Sequence, residues 1–357
     1  MTIVSVRIRK ENLDLTRPYT IAYKTVSHVE NVIVELMLSN GIVGYGACNP
    51  SKAVVDVSVE DSYAALTNDD FAWLIGRDIR EFQRLCYDTY ARYPSDMGAC
   101  AALDIALHDA FAKYLHVPLV KFLGQKIDSL PTSITIGIKG VQETLDEAKE
   151  YIERGFKILK VKIGASLTED VERLIKLRER FGAAVGIRVD ANQGYTSETL
   201  REFVKRTSSL NIELIEQPFR ANAIDEMRAL PTDVKAKIAA DESLLGTADA
   251  IRLASLPKAC GIFNIKLMKC GGITGAREIA VVAENSSIEL MWGCNDESAI
   301  SISAALHAAF ASVATKYIDL DGSLDLARDV TRGGFKLKDG VMRPLDAAGL
   351  GVEPNRA

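Results

Sequence analysis

Paired cysteines, zinc-like histidine spacing and long apolar runs are all missing from this chain of 357 residues. Its four histidines show no metal-site spacing with the six cysteines, and Cys48, Cys86, Cys100, Cys260, Cys270 and Cys294 are scattered without a CxxC pair. Buried reduced thiols are therefore expected, not a disulfide framework or a zinc site. No apolar stretch is long enough to span a bilayer, and MTIVSVRIRKENLDL has no apolar h-region behind a basic start. That argues against a membrane anchor or secretory signal and for a cytoplasmic location. A surplus of positive charge is missing too: 43 basic residues against 48 acidic ones give a net charge of -5. Such a chain has no general attraction for nucleic acid or anionic lipid. The composition is that of an ordinary soluble protein, and the length fits one large barrel with a smaller added domain, or two ordinary domains.

Apolar patterning divides the chain. Alternation in 3–9, 32–38 and 43–47 predicts a small meander, and 57–116 carries helical periodicity, so the first unit reads as α+β over 1–126. KIDSLPT breaks the pattern near 126–132. From there, eight short apolar segments begin with SITIGI at 133–138 and end with KYIDLD at 316–321, each followed by a helix-like stretch. Eight such units predict a (β/α)8 barrel over 127–330. The glycine-rich segment 331–357 reads as a hairpin and tail folding back on the first unit.

In such a barrel the carboxyl ends of the strands carry the chemistry. Asp190 closes GIRVD, Glu216 closes LIE and Asp241 closes IAAD, one βα unit apart, so three carboxylates should converge at one rim. They would repel one another unless a cation lies between them, and an all-oxygen set points to Mg²⁺ over zinc. Lys160 and Lys162 in KVKIG, two apart, share one side of a strand, and Lys160 should disfavour protonation of Lys162, pushing its pKa down toward the working range. Lys266, ending FNIK, comes from roughly across the barrel. A proton next to a carboxylate is weakly acidic, and its removal needs both charge stabilisation and a tuned base. Bases on two faces specify inversion, hence a racemase or epimerase.

At this point KVKIG, VDANQGY, IEQP, ADES and NIKLMKCGG, in order and spacing, resemble the enolase superfamily, in its muconate-lactonizing-enzyme subgroup. The resemblance covers nearly the whole chain. It implies a capping domain formed by the amino-terminal unit and the tail, with specificity loops near 15–30 and 47–58. It also implies Asp190, Glu216 and Asp241 as ligands of one Mg²⁺, Lys162 and Lys266 as acid and base, and Lys160 as an aid to the carboxylate. Asn192, Glu242 and Glu297 are candidates for support behind these residues, and Thr135 for substrate contact.

Asp319 and Asp321 in YIDLD look like the DxD pair that holds the α-ammonium of the substrate in dipeptide epimerases. Lys24 stands where related L-Ala-D/L-Glu epimerases place an arginine, which favours an acidic side chain. Asp296 in GCNDES, with Asp56 as a further acid and Ala47 in place of a common glutamate, favours a cationic one. Asp296 could equally be the N-cap of a helix at 298–312. The reading is a dipeptide epimerase with a preference for cationic dipeptides, working as a homo-oligomer without nucleic-acid or membrane partners. L-Ala-D/L-Glu epimerisation, muconate cycloisomerisation, o-succinylbenzoate synthesis and a non-catalytic binding barrel are the alternatives.

Overall fold

A computed structural model describes residues 1–21 and 24–355, and the side chains of these outside 18–26. The amino-terminal alternation forms an antiparallel meander of β1 (Ile3–Ile21), β2 (Lys24–Leu38) and β3 (Val43–Cys48). β1 and β2 are much longer than the apolar pattern indicates. The segment 15–30, expected as loops, contributes the far arms of this hairpin, with a register shift between Asp14 and Tyr19. The reason is that β1 is an edge strand, where ladder hydrogen bonds tolerate charged side chains such as those of Arg9, Lys10 and Glu11.

Helices at Val59–Thr67 and Met97–Tyr114 pack against this sheet, with Phe82–Arg92 packed on the second of them. The helix Met97–Tyr114 begins on Asp96, whose side chain accepts from the Ala99 amide, and is buried on nearly every side. Its small residues, among them Ala102, Ala106 and Ala110, allow β3 to approach at backbone contact. A Cβ at Gly46 would lie 1.8 Å from the Ala102 carbonyl, and one at Gly44 2.3 Å from that of Ala106.

The barrel follows. After β4 (Leu130–Pro131), eight parallel strands are hydrogen-bonded in chain order. They are β5 (Ile134–Ile136), β6 (Ile158–Lys162), β7 (Gly186–Asp190), β8 (Ile212–Glu216), β9 (Ile238–Ala240), β10 (Ile262–Ile265), β11 (Glu289–Trp292) and β12 (Thr315–Ile318). The seam between first and last closes through a Thr132–Ile318 bridge and a 3.2 Å bond from the Ser133 amide to the Ile318 carbonyl. Helices follow β5 through β11; among the described residues none follows β12. The eighth unit was expected to have one, but GSLDLARDVTRGG has glycines at both ends and no apolar face to bury.

Strand parity sorts the interior. Leu214, Ala239, Ile262 and Met291 form a small apolar core of their own, with Tyr317 against it. Two residues further along the same strands, on the same side, come Glu216, Asp241, Asn264 and Asp319. An apolar plug therefore lies in the barrel's lower part, with buried Arg188 stacked over Tyr317 beside it, and the acids stand above.

The tail forms β13 (Thr331–Gly333), β14 (Phe335–Lys338), β15 (Val341–Pro344) and β16 (Val352–Pro354). β14 and β15 form a hairpin that pairs with β4, and β13 pairs with β16. The Leu350 amide donates to Asp109 at 2.7 Å, and that of Leu119 donates to the Gly349 carbonyl at 2.8 Å, so the tail touches both β4, which leads into the barrel, and the amino-terminal helices. Gly46→Ala should destabilise the fold by about 1–3 kcal/mol, because the sheet and helix must separate to admit one methyl group. A shifted denaturation midpoint at unchanged slope checks it.

Candidate active site

The strand ends, the β1–β2 hairpin and the segment after β3 enclose a cavity of about 630 Å³. Lys160, Lys162, Asp241 and Lys266 line it together with Thr135, Asn192, Glu242, Asp296, Asp319 and Asp321. Asp190 and Glu216 are completely buried directly behind the lysines.

Lys160 is the hub. Its ammonium lies 2.7 Å from Asp319, 2.8 Å from Glu216 and 3.3 Å from Asp190. Burial would lower its pKa, but Asp319, Glu216 and Asp190 outweigh that and raise it well above the usual lysine value. The three acids thus favour the charged form of Lys160. Lys162 donates to Asp190 at 2.7 Å and to Asn192 at 3.0 Å. Lys266 stands one residue past β10, where it begins the short helix Leu267–Cys270, and donates to Asp241 at 2.8 Å. β6 and β10 are four strands apart in a closed set of eight, so Lys162 and Lys266 enter from opposite walls.

Asp319 and Asp321 lie just beyond β12, which ends at Ile318, not at 321 as the apolar pattern suggested. They diverge in environment. Asp319 is buried and committed, accepting from Lys160 and from Ser133 at 2.7 Å each. Asp321 accepts from the Thr135 amide at 2.7 Å, and no ion pair among the described residues reaches it. Burial and the neighbouring Asp319 charge push it up to about 7.

Asp296 sits in the turn after β11. It does not cap the next helix, whose N-cap is Ser298; Asp329 accepts from the Ala299 amide instead. Glu297 is buried beneath, pushed up to about 7 by burial, and accepts from the Asn295 amide. Asn192 donates to Glu242 at 3.4 Å. Asp56 ends the short helix Lys52–Val55 and is not among the residues lining the cavity, while Ala47 is fully buried in β3. The Lys24 side chain lies outside the described residues.

Two buried residues escaped the sequence reading. Lys269 donates to the Asp241 carboxylate and, at 2.6 Å, to its carbonyl. Gln217 accepts from the Asp241 amide at 2.9 Å. Both occur inside motifs that were noted, NIKLMKCGG and IEQP, but neither lies at a strand end on the cavity side.

Asp190, Glu216 and Asp241 suit a hard cation. They are buried and offer only oxygen, and the Glu216 and Glu242 Oε2 atoms have no hydrogen-bond partner among the described residues. Glu216 Oε2 does lie 2.8 Å from Lys160, at ion-pair distance without hydrogen-bond alignment. Burial and Asp190 push Glu216 up to about 8, against the pull of Lys160; burial and Asp241 push Glu242 up to about 7. Burial opposes ionisation of Asp190 as well, but Lys162 and Lys160 hold it at about 2. Burial likewise opposes the ionisation of Asp241, and Lys266 and Lys269 keep it well below the usual range.

Residues 3–124 match the mandelate racemase / muconate lactonizing enzyme N-terminal domain, and 143–357 match the enolase C-terminal domain-like family. The chain belongs to this family. Within it, an L-Lys-D/L-Arg epimerase of Methylococcus capsulatus is 52% identical over 99% of both chains. An L-Ala-D/L-Glu epimerase of Clostridium acetobutylicum is 33% identical over 99% of both. The crystal structure of a Methylococcus capsulatus dipeptide epimerase with Mg and L-Arg-D-Lys superimposes with a TM-score of 0.97 at 52% identity, over 99% of each chain. The muconate-lactonizing resemblance in KVKIG through NIKLMKCGG therefore extends over both family domains.

The raised glutamates set a pH dependence. Between the ordinary value of 4.5 and about 8, folded Glu216 binds more protons than the unfolded chain does. Its stabilising contribution is therefore full below 4.5 and is lost as pH rises through about 8. Asp190 works oppositely, contributing above 3.8 and losing its contribution toward about 2, so it is constant in this window. Without divalent cation the melting temperature should fall between about pH 5 and about pH 9, and Mg²⁺ should restore more of it at the upper end. Melts in EDTA and in MgCl₂ test this; an equal Mg²⁺ shift at both ends would argue against Glu216 as a ligand.

Proposed function

We propose that the chain is a Mg²⁺-dependent epimerase that inverts the α-carbon of the carboxyl-terminal residue of cationic dipeptides. The observation that carries this is the pair Lys162 and Lys266, entering one cavity from opposite walls, each bonded to a carboxylate of one buried set. Asp190, Glu216 and Asp241 would hold the cation. When bound, it supplies stabilisation of the negative charge that develops on the substrate carboxylate.

The remaining work falls to side chains. Lys162 Nζ takes the α-proton from one face and Lys266 Nζ gives one to the other; the reverse reaction exchanges their roles. One must be neutral while the other is an ammonium, so each turnover leaves them swapped. Lys160, held charged by three acids, assists the carboxylate. Asp321 has no ion pair among the described residues and would take the substrate ammonium alongside Asp319, with the Thr135 amide fixing its orientation. Asn192 and Glu242 support this set from the cavity wall, and Glu297 from beneath.

The cationic preference is supported by Asp296 and Asp325 at the cavity wall, and by the higher identity to the L-Lys-D/L-Arg epimerase than to the L-Ala-D/L-Glu epimerase. Muconate cycloisomerisation and o-succinylbenzoate synthesis would leave Asp321 without its counter-charge, and a binding barrel would leave both lysines unused. All six cysteines are free, which suits a reducing cytoplasm. No helix among the described residues is long and apolar enough to cross a membrane. We expect a homo-oligomer, which light scattering would check.

Lys162→Ala and Lys266→Ala should each reduce epimerisation by roughly 10²–10⁴-fold while Mg²⁺ binding persists. Full activity in either variant would end the two-base scheme. Asp296→Asn should raise KM for Lys- and Arg-containing dipeptides roughly tenfold, the worth of one charge-assisted hydrogen bond. A similar rise for Ala-Ala would remove its role in selectivity.

A further inference from the structure

We infer that Asp104 and Tyr90, side chains of the amino-terminal helices, are positioning residues for Lys266. This rests on the acid–base reading above. Lys266 follows β10 and leads through Leu267–Cys270 and two glycines into the helix Ile273–Ser286, whose N-cap, Gly272, has no side chain to offer. Asp104, fully buried in the helix Met97–Tyr114, supplies the missing cap from the other unit. Its Oδ2 accepts from the Ile273 amide at 2.6 Å and the Thr274 amide at 3.2 Å, and its Oδ1 accepts from the Thr274 hydroxyl. The Tyr90 hydroxyl, from the helix Phe82–Arg92, donates to the Gly271 carbonyl at 2.8 Å and accepts from the Gly275 amide at 2.9 Å.

The two glycines fit these partners. Gly271 and Gly272 have φ of 82° and 108°, and a Cβ would lie 2.7 Å from the Tyr90 ring and 2.6 Å from the Asp104 carboxylate respectively. From the opposite side Lys269 ties the same turn to Asp241 and, at 3.0 Å, to the Asn264 carbonyl. The turn is thus held between barrel and cap. Asp104 also lies with Cys86 and His108 in a grouping whose ligand atoms are all within 4.8 Å of one another. That grouping does not read as a metal site: three donors already take the carboxylate, and His108 Nδ1 bonds the Asp104 carbonyl at 2.7 Å. The Lys162 strand end is held from within the barrel instead: Arg173 donates to the Lys162 carbonyl at 3.1 Å, and Asp170 accepts from the Gly164 amide at 2.9 Å. None of the hydrogen bonds among the described residues joins the amino-terminal unit to 158–164.

The asymmetry gives a stereochemical test. α-Deuterium exchange is followed in D₂O with Mg²⁺, separately from L-Arg-L-Lys and L-Arg-D-Lys. Lys266→Ala should silence exchange from one epimer and Lys162→Ala from the other, which assigns each face. Asp104→Ala should then slow the epimer assigned to Lys266 roughly 10- to 100-fold while leaving the other within about twofold. Tyr90→Phe, a milder change that keeps the ring against Gly271, should give the same pattern at smaller amplitude. In the protein without substrate, amide exchange at Ile273 and Thr274 should rise in Asp104→Ala. Equal losses from both epimers in Tyr90→Phe, or unchanged exchange in both variants, overturns the positioning role. Wild-type exchange from both epimers in Lys266→Ala would mean that the acid–base reading has failed, and the positioning role with it.

Discussion

The interior of this barrel has to keep several like charges dry and close together. Asp190, Glu216, Asp241 and Asp319 are all buried at one level, and Lys160, Lys162, Lys266 and Lys269 are threaded among them. Buried charges of this kind are tolerated only when each has a partner, because desolvation of an unpaired ion costs several kcal/mol. The lysines satisfy most of that requirement. What they leave over, the Glu216 and Glu242 Oε2 atoms without a hydrogen bond among the described residues and the raised pKa of both groups, is what a bound cation would balance.

This constraint explains the division of labour among the lysines. Lys160 has three acids and stays charged, so it serves as a fixed electrostatic element. Lys162 and Lys266 each hold a single carboxylate and open onto the cavity, the arrangement a proton-transfer group needs. Lys269 is wholly internal and fixes Asp241 from behind. Four residues of one type thus differ in role through the number and placement of their partners.

The barrel and most of the site were legible because both depend on period. A two-residue repeat in short strands and a βα interval between acids survive in a single sequence, and they pointed to Lys160, Lys162, Asp190, Glu216 and Asp241. Less was legible where hydrogen bonding overrides side-chain pattern. The far arms of the β1–β2 hairpin carry charged residues on an edge, so alternation gave no signal there. Asp319 was read with Asp321 as an equal pair; only in three dimensions does its bond to Lys160 set the two apart. Lys269, Gln217, Asp104 and Tyr90 act through atoms distant in sequence, for which no local spacing exists.

Strand parity has a consequence for how such a chain can vary. Leu214 and Glu216, or Ile262 and Asn264, share a side only because two residues separate them, and one added or lost residue would turn the acid out and the apolar plug with it. Lineages and engineers alike are therefore free to lengthen the outer helices and the rim loops, while the short strands beneath the site are locked in length. Insertions or deletions within the strands are the changes this scaffold is least able to absorb, and changes of length above and around them are the ones it tolerates.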